Sequence, residues 1–324
     1  MIGGTRFIGR HVVDAALARG HEVTLFHRGR TGADLFPGDE RVERRIGDRD
    51  GDLDALADGE WDATVDTCAY VPRQVQMLAD VLGERGGHHL LVSSVSAYAE
   101  PAGPGFTEDS PLVQLDDPTT EVVTGETYGG LKVLCERAAI DRHGPRTIIV
   151  RPTYVIGPDD YTWRFPWWVA RIARGGEVPV PGPADAPMQV VDVRDMAAWM
   201  VSLLEQKAEG AFHAIGVDAG FTWRALLESV AAAVGPPGTK LTWVDGAAAQ
   251  ATGLPEGAAP LWSGDESDVW ILTADPARAR ATGLTARPLA DTVRDTWAWT
   301  LTVDQPDQPG LTAQQEAELL AASR

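Results

Sequence analysis

Tyr128 and Lys132 have the side-chain types and the spacing that acid–base chemistry on a small molecule requires. They stand four positions apart in the segment 126–132, ETYGGLK, so on a helix both side chains lie on one face. A tyrosine phenol has an ordinary pKa of about 10, which is too high for a base at neutral pH. A neighbouring ammonium group stabilises the phenolate and lowers that pKa. We therefore expect the pair to move a proton to or from a substrate.

Three serines at the end of an apolar run supply a candidate hydrogen-bond donor. Ser93, Ser94 and Ser96 follow the segment 89–92, HLLV, which is typical of a buried strand. Open α/β sheets bind ligands at the carboxyl ends of their strands. A hydroxyl there would hydrogen-bond the substrate oxygen while Tyr128 moves its proton. An ordinary strand-to-loop transition explains the serines equally well.

A glycine-rich turn opens the chain and leads straight into a helix-like pattern. Two adjacent glycines would allow a tight turn and a close approach of the backbone to a pyrophosphate, and Gly9 would let the helix pack on the strand. The free N–H groups at the helix N-terminus favour phosphate. Gly-Gly before a helix is common, so the motif depends on its context. The predicted cofactor contacts are Gly3, Gly4, Thr5, Arg6, Phe7, Ile8 and Gly9.

The choice between the two nicotinamide cofactors is expected at the end of the second strand. A carboxylate there would hold the ribose hydroxyls of NAD, but the chain has His27, Arg28 and Arg30 instead. Arginine binds a phosphate group in a bidentate manner, so the sequence favours NADP, with NAD as the alternative. The two arginines would otherwise be ordinary solvated turn residues.

The elements that position these residues alternate between strand-like and helix-like patterns. This alternation predicts an α/β fold, a doubly wound parallel sheet (Rossmann fold) with a smaller mixed C-terminal substrate lobe. We expect a dinucleotide-binding domain over 1–152, a lobe over 153–304 interleaved with returning Rossmann elements, and a peripheral tail over 305–324. The predicted strands are 22–26, 44–46, 63–65, 89–92 and 147–150, and the predicted helices include 10–19 and 75–82. Because only Met1 and Ile2 precede the glycines, the native chain is expected to begin upstream of Met1.

The composition limits the classes of protein and partner. The 324 residues carry a net charge of −19, from 28 basic and 47 acidic side chains, and such a surface repels nucleic acid. No apolar run reaches the roughly 18 residues of a membrane span, and no leader is expected. Cys68 and Cys135 cannot form a disulfide framework, and the seven histidines lack metal-ligand spacing. We expect a cytoplasmic homodimer that acts on a small molecule. We expect no bound metal, no nucleic-acid partner and no membrane association.

Together with three later segments, these motifs resemble the extended short-chain dehydrogenase/reductase family, the NAD-dependent epimerases and dehydratases. The later segments are 151–158, RPTYVIGP, 193–195, VRD, and 296–299, TWAW. The resemblance implies that Tyr128 is the general acid/base and that Lys132 lowers its pKa and holds the nicotinamide ribose. It implies that Ser94, four positions before Tyr98, orients the substrate, and that Asp48 contacts the adenine amino group.

Several departures from the family pattern bear on the substrate. Val95 and Ser96 replace the acidic pair of the dehydratases, so water elimination is not expected. Met188 stands where nucleotide-sugar enzymes of the family clamp the pyrophosphate with arginine, and a loop around Asp265 replaces a second clamp. A dianionic substrate would be repelled there. We expect a substrate without a diphosphate, neutral or amine-bearing. Arg6 replaces the middle glycine of the phosphate loop, which agrees with NADP.

An aromatic cluster beyond residue 151 would stack on a ring-shaped ligand or form the core of the lobe. It contains Trp163, Phe165, Trp167 and Trp168. The candidate substrate contacts are Ser96, Thr153, Trp163, Trp167, Met188 and Asp265. Cys68 would line the nicotinamide pocket or be a small buried hydrophobe.

Three functions remain open from the sequence. The leading one is an NADP(H)-dependent reductase or dehydrogenase acting at a carbinol or carbonyl centre, and the second is a sugar epimerase that keeps its cofactor between half-reactions. The third is a non-catalytic cofactor sensor or RNA-binding protein, because the segment 3–9 also resembles RNA-binding relatives in chloroplasts. The acidic charge opposes RNA binding, and the intact Tyr128 and Lys132 pair opposes a role without turnover.

Overall fold

A computed structural model describes residues 1–32, 34–100, 103–264 and 266–323, and leaves out the side chains of 266–268. The chain forms two compact units and passes between them several times. Unit 1 comprises Met1–Thr153, Val193–Ile215 and Ala274–Thr285, and unit 2 comprises Tyr154–Asp192, Gly216–Thr273 and Ala286–Arg324. Within the described residues, no helix is long and apolar enough to span a membrane.

The secondary structure alternates along most of the chain. The strands are β1 (Val23–His27), β2 (Val42–Ile46), β3 (Ala63–Asp66), β4 (His88–Val92), β5 (Thr147–Pro152), β6 (Tyr154–Ile156), β7 (Glu177–Pro181), β8 (Val190–Asp192), β9 (Gly210–Ala214) and β10 (Lys240–Val244). The helices are α1 (Phe7–Ala18), α2 (Pro72–Leu82), α3 (Gly125–His143), α4 (Arg164–Ala173), α5 (Val193–Glu205), α6 (Trp223–Val234), α7 (Gly246–Ala251), α8 (Ala277–Ala281), α9 (Leu289–Thr300) and α10 (Ala313–Ala322).

Unit 1 contains a parallel sheet in the order β2-β1-β3-β4-β5-β9. Ile2 joins β1 to β3, because it forms parallel bridges to Phe26 and to Asp66. The predicted strands coincide with β1 to β5 to within two residues at each end. Helix α1 packs against α5, and α2 packs against α3. The expected α/β Rossmann-type fold is therefore confirmed.

Unit 2 is built around tryptophans. Trp168 is fully buried, and its ring contacts Trp167 at 4.7 Å and Trp223 at 5.2 Å between centroids. Two parallel strand pairs surround this core, β6 with β8 and β7 with β10. The segment expected as a peripheral tail contains α10, which places Leu319 in the core of the unit.

A buried polar cluster fixes α3 to the carboxyl ends of the strands in unit 1. Arg151, at the end of β5, donates to both carboxylate oxygens of Glu136 on α3, at 2.9 and 2.6 Å. The same guanidinium donates to the Tyr98 hydroxyl and, at 3.1 Å, to the Glu108 carbonyl. His213, at the end of β9, lies 2.7 Å from the Tyr98 hydroxyl. Removing either partner of the buried Arg151 and Glu136 pair would leave the other charge buried without a partner, which is strongly destabilising.

Gly129 allows α3 to approach the turn that follows β4. A β-carbon at this position would lie 2.0 Å from the Ser96 carbonyl oxygen, which is far inside van der Waals contact. Only a residue without a side chain permits this distance.

Gly129→Ala is therefore expected to force α3 away from the residue 96 turn and to lower the free energy of unfolding by about 1 to 3 kcal/mol or more. Gly125→Ala is the matched control, because a β-carbon at Gly125 meets nothing within 4 Å in the same helix. We expect that control to be neutral or stabilising by up to about 1 kcal/mol. Chemical denaturation measures both, and equal stability of the two variants would contradict the close approach.

A stacked histidine pair connects β4 with the end of α3. The rings of His89 and His143 lie 4.4 Å apart and nearly parallel. Neither ring nitrogen of His89 has a hydrogen-bond partner among the described residues. Burial, together with the neighbouring His143 ring, lowers the pKa of His89 to about 4.

This lowered pKa predicts acid sensitivity. The unfolded chain binds a proton at His89 below about pH 6.5, whereas the folded protein does not until about pH 4. Stability contributed by the neutral ring is therefore present near pH 7 and is lost as the pH falls, by on the order of 3 kcal/mol. We expect His89→Leu to lose less stability than the wild type between about pH 7 and pH 4.5 in denaturation experiments, and His88→Leu to lose as much as the wild type. Equal pH dependence in His89→Leu and wild type would count against the assignment.

Candidate active site

The glycine-rich turn has the backbone that a phosphate-binding loop requires. Gly3 and Gly4 have φ angles of 95° and 84°, in the region that favours glycine. A β-carbon on Gly9 would lie 2.8 Å from the Gly4 nitrogen, so the start of α1 packs directly on the turn. Arg6 is exposed on this loop, and the Thr5 hydroxyl lies 3.1 Å from that of Thr31. This cradle fits the pyrophosphate of a dinucleotide.

The predicted adenosine side begins at His27, the last residue of β1. Its Nδ1 accepts a hydrogen bond from the Gly29 N–H at 3.0 Å, so the proton of the neutral ring lies on Nε2. Nε2 is buried without a partner in the described part of the chain. Burial, assisted by Arg44, lowers the pKa of His27. Arg28 and Arg30 are exposed beside it.

Asp48 lies in a turn in which its carboxylate accepts a hydrogen bond from the Asp50 N–H at 3.1 Å.

Arg49, the next residue, forms an ion pair that the sequence did not indicate. Arg49 donates to both carboxylate oxygens of Asp66, at 2.6 and 2.8 Å, and to the sulfur of Cys68 at 3.3 Å. Although burial alone would raise it, the Arg49 ion pair holds the pKa of Asp66 below its ordinary value.

Cys68 lies beside the glycine turn as well as beside Arg49. A β-carbon added to Gly3 would be 3.6 Å from its sulfur. Burial raises the pKa of the Cys68 thiol, so the neutral form is favoured.

Lys132 is 3% exposed and is held by two main-chain oxygens. Its Nζ donates to the Ala69 carbonyl at 2.8 Å and to the Val92 carbonyl at 2.9 Å. It lies 5.8 Å from the ring centroid of Tyr128 and 5.2 Å from that of Tyr70. Burial lowers the pKa of Lys132, and nearby acidic groups partly offset this. An ammonium has three donors, and these two bonds use two of them.

Ser94 begins a short turn immediately after β4. Its Oγ accepts from the Ser96 N–H at 3.1 Å and lies 3.1 Å from the Ser96 hydroxyl. Gly129 touches the Ser96 carbonyl, and Lys132 bonds the carbonyl of Val92, two positions before Ser94. These contacts bring the predicted catalytic residues, Ser94, Tyr128 and Lys132, to one end of β4. Ser93 instead donates to the buried Glu136 carboxylate.

The predicted substrate contacts beyond Ser96 are dispersed. Trp163 and Trp167 are 4% and 3% exposed and belong to the core of unit 2, so the expected stacking platform is not at these residues. Trp167 is buried within the tryptophan core, and the ring of Trp163 lies 5.7 Å from that of Trp299 between centroids. The Thr153 hydroxyl is buried without a partner among the described residues, and Asp265 lies outside them.

Unit 2 contains a cavity of about 870 Å³ lined by aromatic residues. Met188 lines it, as do Tyr154, Trp223, Trp262 and Trp270. The indole N–H groups of Trp223 and Trp262 donate to the main-chain oxygens of Pro181 and Gly182, at 3.1 and 2.8 Å. The sequence showed that tryptophan is frequent here but could not show which indoles face a cavity. Among described residues, no cluster of three or more His, Cys, Asp or Glu side chains is placed to hold a metal.

Solved structures share this fold across nearly the whole chain. A putative epimerase from Burkholderia cenocepacia J2315 has 21% identity and a TM-score of 0.69, over 93% of this chain and 97% of that one. UDP-N-acetylglucosamine 4-epimerase from Bacillus cereus has 17% identity and a TM-score of 0.66, over 92% and 96%. A human epimerase family protein solved with NADPH has 21% identity and a TM-score of 0.61, over 92% and 98%. At these identities the likeness shows the fold.

A curated relative comes from Arabidopsis thaliana. The chloroplast stem-loop binding protein of 41 kDa b is 25% identical over 251 residues, or 73% of this chain. The match spans 63% of the length of that relative.

The family model for the NAD dependent epimerase/dehydratase family matches residues 1–216. That range contains the glycine turn, Ser94, Tyr128 and Lys132. The family expected from the sequence is therefore confirmed. The chain belongs to the NAD dependent epimerase/dehydratase family.

Proposed function

We propose that the protein is an NADP(H)-dependent oxidoreductase acting at a carbinol or carbonyl centre of a small molecule. The observation that carries this proposal is the position of Lys132. Its buried ammonium lies 5.8 Å from the Tyr128 ring and has two of three donors fixed by main-chain oxygens. Because the two residues are four positions apart on α3, the ammonium charge acts directly on the phenol.

The proposed mechanism uses three side chains of unit 1. Tyr128 exchanges a proton with the substrate oxygen, and Ser94 donates a hydrogen bond to that oxygen. Lys132 stabilises the phenolate form of Tyr128 through its positive charge and holds a ribose hydroxyl. Bound NADP would supply the hydride donor or acceptor, held by the glycine turn at residues 3–9. Because the partners of Lys132 are main-chain oxygens, the ammonium needs no rearrangement when the proton moves.

The substrate is proposed to lack a nucleotide diphosphate. Met188 is 3% exposed and lines the unit 2 cavity as an apolar side chain. A diphosphate requires several cationic or N–H partners, and Arg164 is the cationic side chain among the described residues that line the cavity.

Epimerisation is the second candidate, and the family to which the chain belongs favours it. An epimerase regenerates its cofactor in each cycle, so it would retain tightly bound NAD and consume no net NADPH.

The printed name of the plant relative suggests RNA binding as a third function. The net charge of −19 opposes it. RNA binding that weakens steeply with salt would support this third function instead.

Tyr128→Phe is expected to lower kcat for carbonyl reduction by about 10²- to 10⁴-fold, because it removes the proton-transferring group. Binding of NADPH should stay nearly unchanged. Consumption of NADPH with a panel of small aldehydes and ketones measures turnover, and fluorescence titration measures cofactor binding. Tyr161→Phe, at an exposed tyrosine of unit 2, is the control. Substantial activity in Tyr128→Phe would remove this residue from the mechanism.

The combined variant Arg28→Ala and Arg30→Ala tests the cofactor preference. Loss of charge-assisted hydrogen bonds to the 2′-phosphate should weaken NADPH binding by about 10- to 100-fold. Binding of NADH, which lacks that phosphate, should change little. Arg137→Ala, at an exposed position of α3, controls for the loss of surface charge. Tighter binding of NADH than NADPH by the wild-type protein would refute the preference.

A further inference from the structure

The loop before α4 holds one arginine at the unit 2 cavity. Asp160 is 1% exposed, and its Oδ1 accepts from the N–H and the hydroxyl of Thr162, at 3.0 and 2.6 Å. The Thr162 hydroxyl in turn accepts from Nε of Arg164 at 3.2 Å. The guanidinium carbon of Arg164 lies 5.4 Å from the ring centroid of Tyr154. Arg164 is exposed, and its guanidinium is oriented by a hydrogen bond on its Nε edge and by the Tyr154 ring.

The remaining edge of this guanidinium is available for a ligand. Within the part of the chain that the structure describes, the Nη groups of Arg164 have no hydrogen bond or ion pair. Another arginine of α4, Arg171, is used differently, because it donates to both oxygens of Glu316 at 2.6 and 2.7 Å. The Nη edge of a guanidinium is the part that binds an oxyanion in a bidentate manner. Holding the side chain in advance reduces the entropy lost on binding.

The rest of the cavity lining limits the charge and shape of that ligand. Arg164 and Glu256 are the charged side chains among the described lining residues, and the buried Asp160 carboxylate interacts with Arg164 from the protein side. One added negative charge can be paired with Arg164, whereas a second would meet Glu256 without a partner. Four aromatic residues line the same cavity, namely Tyr154, Trp223, Trp262 and Trp270, and aromatic side chains favour a ring-bearing ligand.

We propose that the unit 2 cavity binds a ring-bearing monoanion, such as an aromatic carboxylate, and that Arg164 binds its anionic group. Thr162 and Asp160 act as positioning residues for the guanidinium. The inference rests on the proposed function in one respect, namely that this ligand is the substrate of the oxidoreductase. A monoanionic ligand differs from the neutral or amine-bearing substrate expected from the sequence. It agrees with the proposal that the substrate lacks a nucleotide diphosphate.

Calorimetry on the full chain with 2-naphthoate and its neutral amide, 2-naphthamide, tests the proposal. The wild-type protein should bind the naphthoate about 10- to 100-fold more tightly than the naphthamide, because only the carboxylate forms the charge-assisted pair. Arg164→Gln should reduce the naphthoate affinity to that of the naphthamide. Arg174→Gln, at an exposed arginine just after α4, should leave both affinities unchanged. Glu256→Gln should strengthen naphthoate binding, because it removes a repelling charge.

The positioning role has its own readout. Thr162→Val should weaken binding of the naphthoate and leave binding of the naphthamide unchanged, and Thr162→Ser should restore the naphthoate affinity. Equal naphthoate binding by Arg164→Gln and the wild type would overturn the proposal, as would failure of the wild type to bind either compound. These measurements require no turnover, so they separate this proposal from the test on Tyr128. Activity retained by Tyr128→Phe would overturn the mechanism and leave the anion site intact.

Discussion

A buried ammonium group is the most demanding feature of unit 1. Removing a charge from water costs several kcal/mol unless hydrogen bonds replace the lost hydration. Lys132 obtains these bonds from two carbonyls, that of Ala69, which follows β3, and that of Val92, which ends β4. Because these strands are neighbours in a parallel sheet, their carboxyl ends lie side by side at one edge of the sheet. Helix α3 must lie where its lysine reaches both carbonyls at that edge. The position of Tyr128, one turn earlier on α3, follows from this requirement.

The same face of α3 continues towards the end of β5. Glu136 stands one turn beyond Lys132 and forms the buried ion pair with Arg151. Gly129 lies against the Ser96 carbonyl on the other side of Lys132. Three consecutive turns of one helix are thus attached to the carboxyl ends of β4 and β5, which makes the orientation of the phenol a property of the fold.

The strands, and the proximity of Tyr128 and Lys132 on one helix face, could be predicted because their signals are local. Apolar runs such as 89–92 and 147–150 indicate buried parallel strands, and the spacing of Tyr128 and Lys132 places them on one helix face. The partners of Lys132 could not be predicted, since main-chain carbonyls have no sequence signature. The ion pair of Arg49 with Asp66 could not be predicted for a related reason, because it joins a loop residue to the end of β3 over 17 positions.

The aromatic residues of unit 2 show where composition is insufficient. Trp163, Trp167 and Trp223 are all buried, and only Trp223 of these three also lines the cavity, together with Trp262 and Trp270. Which indole lies beside the cavity depends on contacts between residues distant in sequence. Arg164 was overlooked because its significance comes from Thr162, Asp160 and Tyr154, which hold it beside the cavity.

A crystal structure of the protein with NADP⁺ bound tests the central claim most directly. In that complex we expect Lys132 to keep its bonds to the Ala69 and Val92 carbonyls and to use its third N–H for a hydroxyl of the nicotinamide ribose. We also expect the pyrophosphate to lie on the turn of residues 3–9. A cofactor bound with its nicotinamide ribose out of reach of Lys132 would contradict the account.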